Sequence, residues 1–369
     1  MKINLISLVP ETFGNRKFFV KEISGKLEIA SKRLTPYGKN PKPIILPRQI
    51  ELSEEVAEAI GIYAGDGKLT PNDIMHVDLV SMDTDIVNSF LRLLKILNVK
   101  TDNLYLEIIY RNGKPKDLAK KWSEATGISS KQFRLKKSLR HRHDVFHIQL
   151  GSVIFRIIFE KMIFHSLPII KADENLRRAF LRGYFAADGT IAFNGKENYI
   201  NYVGFSYDAG NESWLRNFCM ECLELEGVPS KFNEKEREGE ITITGWDSYC
   251  KLWRIDFFNC CERKQRRFSK ILESRRIYCK LNDDFRKEFF SSIRMKQKEI
   301  AKSISSWQGN VSRTMKGKHL LTIKQLKILQ PYSRFDISKI IENVEHIRFG
   351  PLSKGIINSK TEISSMFEV

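Results

Sequence analysis

Two stretches of this chain are near copies of one another, and they restrict its fold more than any other feature. The first reads Ala59-Ile60-Gly61-Ile62-Tyr63-Ala64-Gly65-Asp66-Gly67 and the second Leu181-Arg182-Gly183-Tyr184-Phe185-Ala186-Ala187-Asp188-Gly189. Each has Gly at its third position, small residues at its sixth and seventh, and Asp-Gly at its end. Apolar residues recur at helical spacing through both, as Val56, Ala59, Ile60 and Tyr63 and as Leu176, Ala179, Phe180, Gly183 and Tyr184. Ser53 followed by Glu54 and Glu55 supplies an N-cap for the first helix. The sequence downstream of each motif repeats too: strand-like sequence (His76–Ser81; Tyr199–Tyr207), then an amphipathic helix (Ile86–Leu97; Trp214–Leu225) closed by Asn98-Val99 or Gly227-Val228. Asp66 and Asp188 lie 122 positions apart, so the chain is an internal duplication with helix, strands and helix in one order. It folds as two similar α+β units.

The ends of the duplicated helices carry the chemistry. Gly61, Ala64 and Gly65 share a face, as do Gly183, Ala186 and Ala187, and small faces let two helices approach backbone to backbone. Gly67 and Gly189 are expected in the left-handed cap conformation. The Asp before each then sits where the helix dipole disfavours a carboxylate. If the helices pair, Asp66 and Asp188 also approach each other, and like charges that close need a proton or a cation. A single Asp-Gly at a helix end is an ordinary turn. Two in matching context point to a divalent ion held by both, and hard oxygen ligands with open coordination positions suit Mg²⁺.

Charge says what such an ion would act on. The 369 residues include 62 Lys+Arg against 44 Asp+Glu, a net +18, which attracts polyanions. Metal and a basic field together read as phosphodiester hydrolysis. Nucleic acid is favoured over membrane as the partner, because the apolar run Val153–Leu167 carries Arg156, Glu160 and Lys161 and does not read as a spanning helix. The start of the chain shows no signal peptide. Six cysteines, clustered in one half, suit a reducing compartment. Cys219 and Cys222 form a Cys-x-x-Cys without a second ligand pair, on one helix face, and read as core residues. The compartment expected is the cytoplasm, or the organelle or nucleoid that holds the target nucleic acid.

The chain divides into four segments. Residues 1–50 are a strand-rich extension (Lys2–Leu8, Lys17–Ala30), a small ribbon at best, with a proline-punctuated linker or extended arm over about 33–50. Residues 51–172 are the first repeat, with an additional segment Lys116–Leu150; residues 173–280 are the second repeat, and 281–369 a helical region.

The two motif segments, their order and the strand-helix sequence after each resemble the paired motifs of LAGLIDADG homing endonucleases in their single-chain form, over roughly residues 50–280. The resemblance implies two αββαββα repeats whose motif helices form a pseudo-twofold seam and whose sheets make a saddle over double-stranded DNA, in a monomer. It implies that Asp66 and Asp188 are metal ligands, one per cut strand, with Gly65 and Ala187 in the same metal site. The family's sixth motif position is commonly acidic and is Ala64 and Ala186 here. By the same resemblance Lys264 and Lys171 stand where a catalytic lysine serves each repeat, and Ser81 and Ser206 where a polar side chain orders water. It implies cuts across the minor groove that leave short 3′ overhangs.

Two acid-poor basic runs are candidates for phosphate contact. One holds Lys131, Arg134, Lys136, Lys137, Arg140 and Arg142. The other, Arg263–Lys280, holds Arg263, Lys264, Arg266, Arg267, Lys270, Arg275, Arg276 and Lys280 against one acid, Glu273. Alternating residues of Tyr199–Tyr207 and Glu240–Thr244 are candidates for reading bases. Near the C-terminus, Gln297–Ile304 and Trp307–Met315 resemble a helix-turn-helix, with Ala301, Ser305 and Val311 at its small, turn and apolar positions, though the turn residue is usually Gly. Gln308, Asn310, Ser312 and Arg313 would face a major groove. The expected function is site-specific, metal-dependent DNA cleavage. A DNA-binding regulator on the same scaffold with catalytic acids lost, or an RNA-splicing maturase, are the alternatives. An intein is disfavoured because the chain starts Met-Lys and ends Phe-Glu-Val.

Overall fold

The computed structural model describes residues 1–35, 40–67, 76–140, 142–194, 199–274, 277–349 and 358–368. The chain forms two compact units. One comprises Met1–Ala192, Tyr202–Thr244 and Lys251–Arg267; the other comprises Phe193–Asn201, Gly245–Cys250 and Phe268–Val369.

The first unit begins with more sheet than a ribbon and linker. Strand β1 (Lys2–Asn4) is followed by β2 (Thr12–Phe13), β3 (Arg16–Ile23), β4 (Lys26–Arg33), β5 (Ile44–Pro47) and β6 (Gln49–Glu51). The run Lys17–Ala30 is thus a hairpin, turned at Ser24-Gly25, both with positive φ (49° and 74°). Of the linker or extended arm expected over 33–50, the linker is corrected, because the described residues include two strands. β5 is an edge strand of the sheet β2-β3-β4-β5, and β6 pairs with β1. Leu46 and Ile50 are buried there, and Pro47 is tolerated because β5 lies at an edge. Pro36 lies outside the described residues.

The duplicated part comes next. In the first repeat are α1 (Glu54–Asp66), β7 (Val77–Ser81), α2 (Thr84–Ile96), β8 (Tyr105–Tyr110), α3 (Pro115–Thr126), β9 (Phe133–Lys137), β10 (Val145–Leu150) and α4 (Val153–Ala172). In the second are α5 (Glu174–Asp188), β11 (Gly189–Asn194), β12 (Tyr199–Asp208), α6 (Ser213–Leu225), β13 (Lys231–Lys235), β14 (Glu238–Ile243) and α7 (Trp246–Arg254), and then α8 (Glu262–Ser274). The sheets read β7-β10-β8-β9 and β11-β12-β14-β13. β7, β10 and β8 therefore match β12, β14 and β13. Alternation buries Val77, Leu79, Phe146 and Ile148 in one repeat and Val203, Phe205, Ile241 and Ile243 in the other. α2 and α6 close alike: Asn98 (φ 61°) and Gly227 (φ 67°) are left-handed, and Val99 and Val228 N–H donate to the Leu94 and Leu223 carbonyls (2.9 and 2.8 Å). Cys219 and Cys222 are buried in the core under α6.

The extra segment of the first repeat begins and ends about five residues earlier than expected. β10 belongs to the shared set, so the insertion is residues 111–144, carrying α3 and β9. β9 runs parallel to β8, which requires a crossover, and α3 is that crossover. Trp122 of α3 and Phe133 of β9 both pack on Phe146 (ring centroids 4.7 and 5.3 Å apart), tying the insertion to the core.

The second unit is not only helical. β15 (Ile277–Leu281) lies between β16 (Leu321–Thr322) and β17 (Val344–Phe349). Around this sheet are α9 (Asp283–Ser292), α10 (Gln297–Ser303), α11 (Gln308–Met315), α12 (Ile323–Leu329), α13 (Ile337–Glu342) and α14 (Lys360–Glu368). Its core includes Phe289, Ile300, Val311, Leu326, Ile340 and Ile347. No helix among the described residues is long and apolar enough to cross a membrane.

Candidate metal and nucleic-acid site

The seam between α1 and α5 is built by glycine. A Cβ at Gly61 would overlap the Phe180 carbonyl of the partner helix, and a Cβ at Gly183 would overlap the Glu58 carbonyl. The contacts are reciprocal: each glycine meets the residue three positions before the other. Arg182 Nε donates to Glu58 Oε2 (2.6 Å) across the same crossing. Near the far end, a Cβ on Gly65 would lie 2.6 Å from Ala187 Cβ and 3.2 Å from Asp188 N. The motif therefore brings its two aspartates to one place because its small residues allow no other spacing.

The glycine after each Asp does something other than expected. Gly67 (φ −92°, ψ 179°) and Gly189 (φ −74°, ψ 145°) are extended, not left-handed. Glycine is needed for space: a Cβ at Gly67 would strike the Tyr63 carbonyl and ring, and one at Gly189 the Phe185 carbonyl and ring. Each motif thus leaves its helix in extended conformation, packed against its own aromatic residue, Tyr63 or Phe185.

Both carboxylates are half-buried and resist ionisation. Burial, with the nearby Asp66 charge and then Glu212, pushes Asp188 up to about 7. Asp66 is pushed up to about 6 by burial, against the Ser81 hydroxyl that hydrogen-bonds it and the Lys264 charge. Two hard carboxylates sharing charge repulsion, beside the Gly65 backbone, fit a divalent cation, whereas the Ala187 carbonyl expected in the same metal site accepts instead from Lys264 Nζ (2.9 Å). Among the described residues no group of three or more His, Cys, Asp or Glu side chains suits a metal, so these two carboxylates would have to be joined by backbone, water or substrate oxygens.

Lys264 is at this centre, but as a cap. Its Nζ donates to the Phe185, Ala186 and Ala187 carbonyls at 2.8, 2.6 and 2.9 Å, and the side chain is 6% exposed. Three donors on three carbonyls occupy the whole ammonium. Burial lowers its pKa, and Asp66 is among the charges that counter this. Lys264 closes the end of α5 and places a positive charge beside Asp66 and Asp188.

Lys171 is not its counterpart. Its Nζ pairs with Glu221 Oε2 at 2.8 Å, exposed on the outside. Arg177 donates to the Lys171 carbonyl (2.8 Å), which puts Lys171 at the start of α5. The 15 residues of α5 span about 22 Å, so Asp188 is at the far end.

Arg263 is also reassigned. Its Nε and a terminal nitrogen donate to the two carboxylate oxygens of Asp83 (2.9 and 2.8 Å), and Glu262 N–H donates to Asp85 (3.0 Å). Asp83 N–H donates to Ser81 Oγ (3.4 Å), and Ser81 hydrogen-bonds Asp66. The start of α8, from the second repeat, therefore braces the first repeat's loop through Asp83 and Ser81 to Asp66. Burial opposes a charge on Asp83, yet the Arg263 pair holds it below the ordinary range. Ser206, by contrast, is exposed, and its carbonyl accepts from Tyr184 Oη (2.7 Å). Motif reasoning alone misses Asp83 and Glu212. A signal does exist in a smaller repeat: Ser81-Met82-Asp83 and Ser206-Tyr207-Asp208 both come at the ends of matched strands.

The remaining candidates are on surfaces. Lys131, Lys137, Arg140 and Arg142 are exposed; Arg134 lies over the Tyr105 ring (4.5 Å) and Lys136 is 3.9 Å from Glu107. Arg266 pairs with Glu262 and Arg267 is exposed. Arg275 and Arg276 lie outside the described residues. In the second unit α10 and α11 are joined through Ser305, a non-glycine with φ 49°, and Ile300, Ala301, Ile304 and Val311 are buried. Trp307, the first residue of the expected second helix, is instead the N-cap of α11 and is 74% exposed. Gln308 and Arg313 are exposed and Asn310 half-buried.

Residues 175–255, which hold the second motif, match the family model described as a LAGLIDADG-like domain. An uncharacterized protein of Methanocaldococcus jannaschii is 22% identical over 193 residues, 52% of this chain; the chain spans 59% of that relative's length. Among solved structures, the homing endonuclease I-DmoI in complex with DNA and Mn is similar at 14% identity and a TM-score of 0.34, covering 56% of this chain and 97% of that one. Full-length DUF199/WhiA from Thermatoga maritima is similar at 12% identity and a TM-score of 0.38, covering 77% and 94%.

Proposed function

We propose that the chain binds double-stranded DNA and hydrolyses one phosphodiester bond in each strand, with a divalent metal held by Asp66 and Asp188. The observation that carries the reading is the pair of half-buried carboxylates that interlocked glycine helices hold at one seam, with both pushed towards neutral-pH titration. A protein does not keep such a pair for stability, since each charge penalises the other. When bound, the metal supplies a water of lowered pKa and stabilises charge on the phosphate. Ser81 orients Asp66, Lys264 closes the helix end beside Asp188, and the basic surfaces hold the DNA backbone. Gln308, Asn310 and Arg313 on α11 are the base-reading candidates of the second unit.

A DNA-binding regulator that does not cut is the second reading. It is favoured by Lys264, whose donors all go to carbonyls and so leave none to a water. The two separate in one experiment: a randomised-target supercoiled plasmid library incubated with Mg²⁺ and wild type, Asp66→Asn or Asp188→Asn. Linear product from wild type, and nicked product from a single variant, is the expected result. Retention of DNA by wild type with no broken strand would defeat the nuclease and leave the regulator.

A further inference from the structure

We infer that the two halves do not hold DNA alike: the insertion 111–144 makes the outer edge of the first sheet a phosphate-anchoring surface for the duplex flank, with no equivalent on the second sheet. The inference rests on the DNA-binding part of the reading above and not on cleavage.

Connectivity is the first observation. β8 and β10 are separated by a folded crossover and a fourth strand, whereas their counterparts β13 and β14 are joined by Glu236 and Arg237 alone. β9 is the outermost strand of its sheet. It adds one inter-strand spacing, about 4.8 Å, to that sheet. That exceeds the roughly 3.4 Å rise of one base pair along a strand.

Charge is the second. Residues 111–144 hold 11 Lys+Arg against 3 Asp+Glu, +8 of the chain's net +18. On β9 the side chains Arg134, Lys136 and Lys137 are all exposed. Arg134 and Lys136 share the sheet face of Tyr105 and Glu107, away from the core that Phe133 enters. Stacking over Tyr105 at 4.5 Å fixes the Arg134 guanidinium before any ligand arrives. The loop beyond is tied at its base, where Arg111 N–H donates to Asp144 (2.8 Å). The equivalent face of the second sheet has Asp208, Glu238 and Glu240 in register with Lys235, Asn233 and Ser206. Those carboxylates repel phosphate. They are suited instead to accept from cytosine amino groups at base edges.

The test uses the whole protein in EDTA, with a fluorescent random-sequence duplex pool of about 60 base pairs as probe and a salt titration as readout. Wild type is compared with Arg134→Gln/Lys136→Gln/Lys137→Gln and with Lys231→Gln/Lys235→Gln/Arg237→Gln. All six side chains are exposed or half-exposed, and circular dichroism with thermal melting checks that the fold is kept. Each lost phosphate contact lowers the slope of log affinity against log salt by about 0.9. The β9 variant is expected to lower it by roughly 2 to 3, and the second-sheet variant by less than about 1. Equal losses overturn the asymmetry. An unchanged slope in the β9 variant, with wild type binding normally, means that its charges only protect a sheet edge from pairing. Wild type without salt-dependent binding removes the DNA-binding reading itself, and the asymmetry with it.

Discussion

Replacing both seam aspartates, Asp66→Asn/Asp188→Asn, should make the metal-free protein more stable above neutral pH. The carboxyls have folded-state values of about 6 and about 7, against 3.8 when unfolded. A raised acid pKa means the folded state holds its proton where the unfolded state has lost it. No penalty exists below about pH 4, it grows as pH rises through the interval up to about 7, and it is complete above that. At about 1.36 kcal/mol per unit, shifts of about two and three units amount to roughly 3 and 4 kcal/mol. The two share their mutual repulsion and water reaches both, so about 3 kcal/mol for the pair is the working figure. Urea denaturation in EDTA at pH 5 and pH 8 measures it. Part of that penalty is already present at pH 5, so the stability difference between double variant and wild type should widen by about 1.7 kcal/mol from pH 5 to pH 8. Millimolar Mg²⁺ should remove most of the widening, by stabilising only wild type. A difference that stays constant with pH, or widens towards acid, would refute the account of the seam.

The same geometry gives three further outcomes. Lys264→Met keeps the apolar stem and leaves three carbonyls without their donor, so chemical denaturation should show a loss of about 2–4 kcal/mol. Gly183→Ala gains about 1 kcal/mol of helix propensity yet should destabilise by about 2 kcal/mol net, because the new methyl overlaps the Glu58 carbonyl; a higher melting temperature would contradict the close crossing. The Arg263–Asp83 pair is about half exposed on the Arg side, so a double-mutant cycle with Arg263→Ala and Asp83→Ala should return a coupling of only about 1 kcal/mol.

How much of this is legible depends on the distance over which each signal acts. The motif helices, their aspartates and the later helices of each repeat are written in local spacing, and α1, α5, α2 and α6 form where that spacing places them. Ser305 marks the turn between α10 and α11 although it is not Gly, because the apolar positions around it repeat at helical spacing. The N-terminal sheet is obscured because Pro36, Pro41, Pro43 and Pro47 punctuate a segment whose Leu46 and Ile50 nonetheless find partner strands far away in sequence.

The sequence by itself determined that two aspartates would share one seam, since glycine and alanine at fixed positions leave helix backbones only one close way to meet. Which cation serves them was decided by tertiary structure. Lys264 and Lys171 are alike as local sequence, yet α8 carries one to the end of α5 beside Asp188, and α4 leaves the other about 22 Å away on Glu221. Arg263, one residue before Lys264, reads as a phosphate contact in a basic run and becomes a brace for Asp83 only because the second repeat's last helix docks on the first repeat's loop. Spacing along a chain sets which residues share a helix face; which carboxylate a cation meets is set by long-range packing that no local pattern encodes.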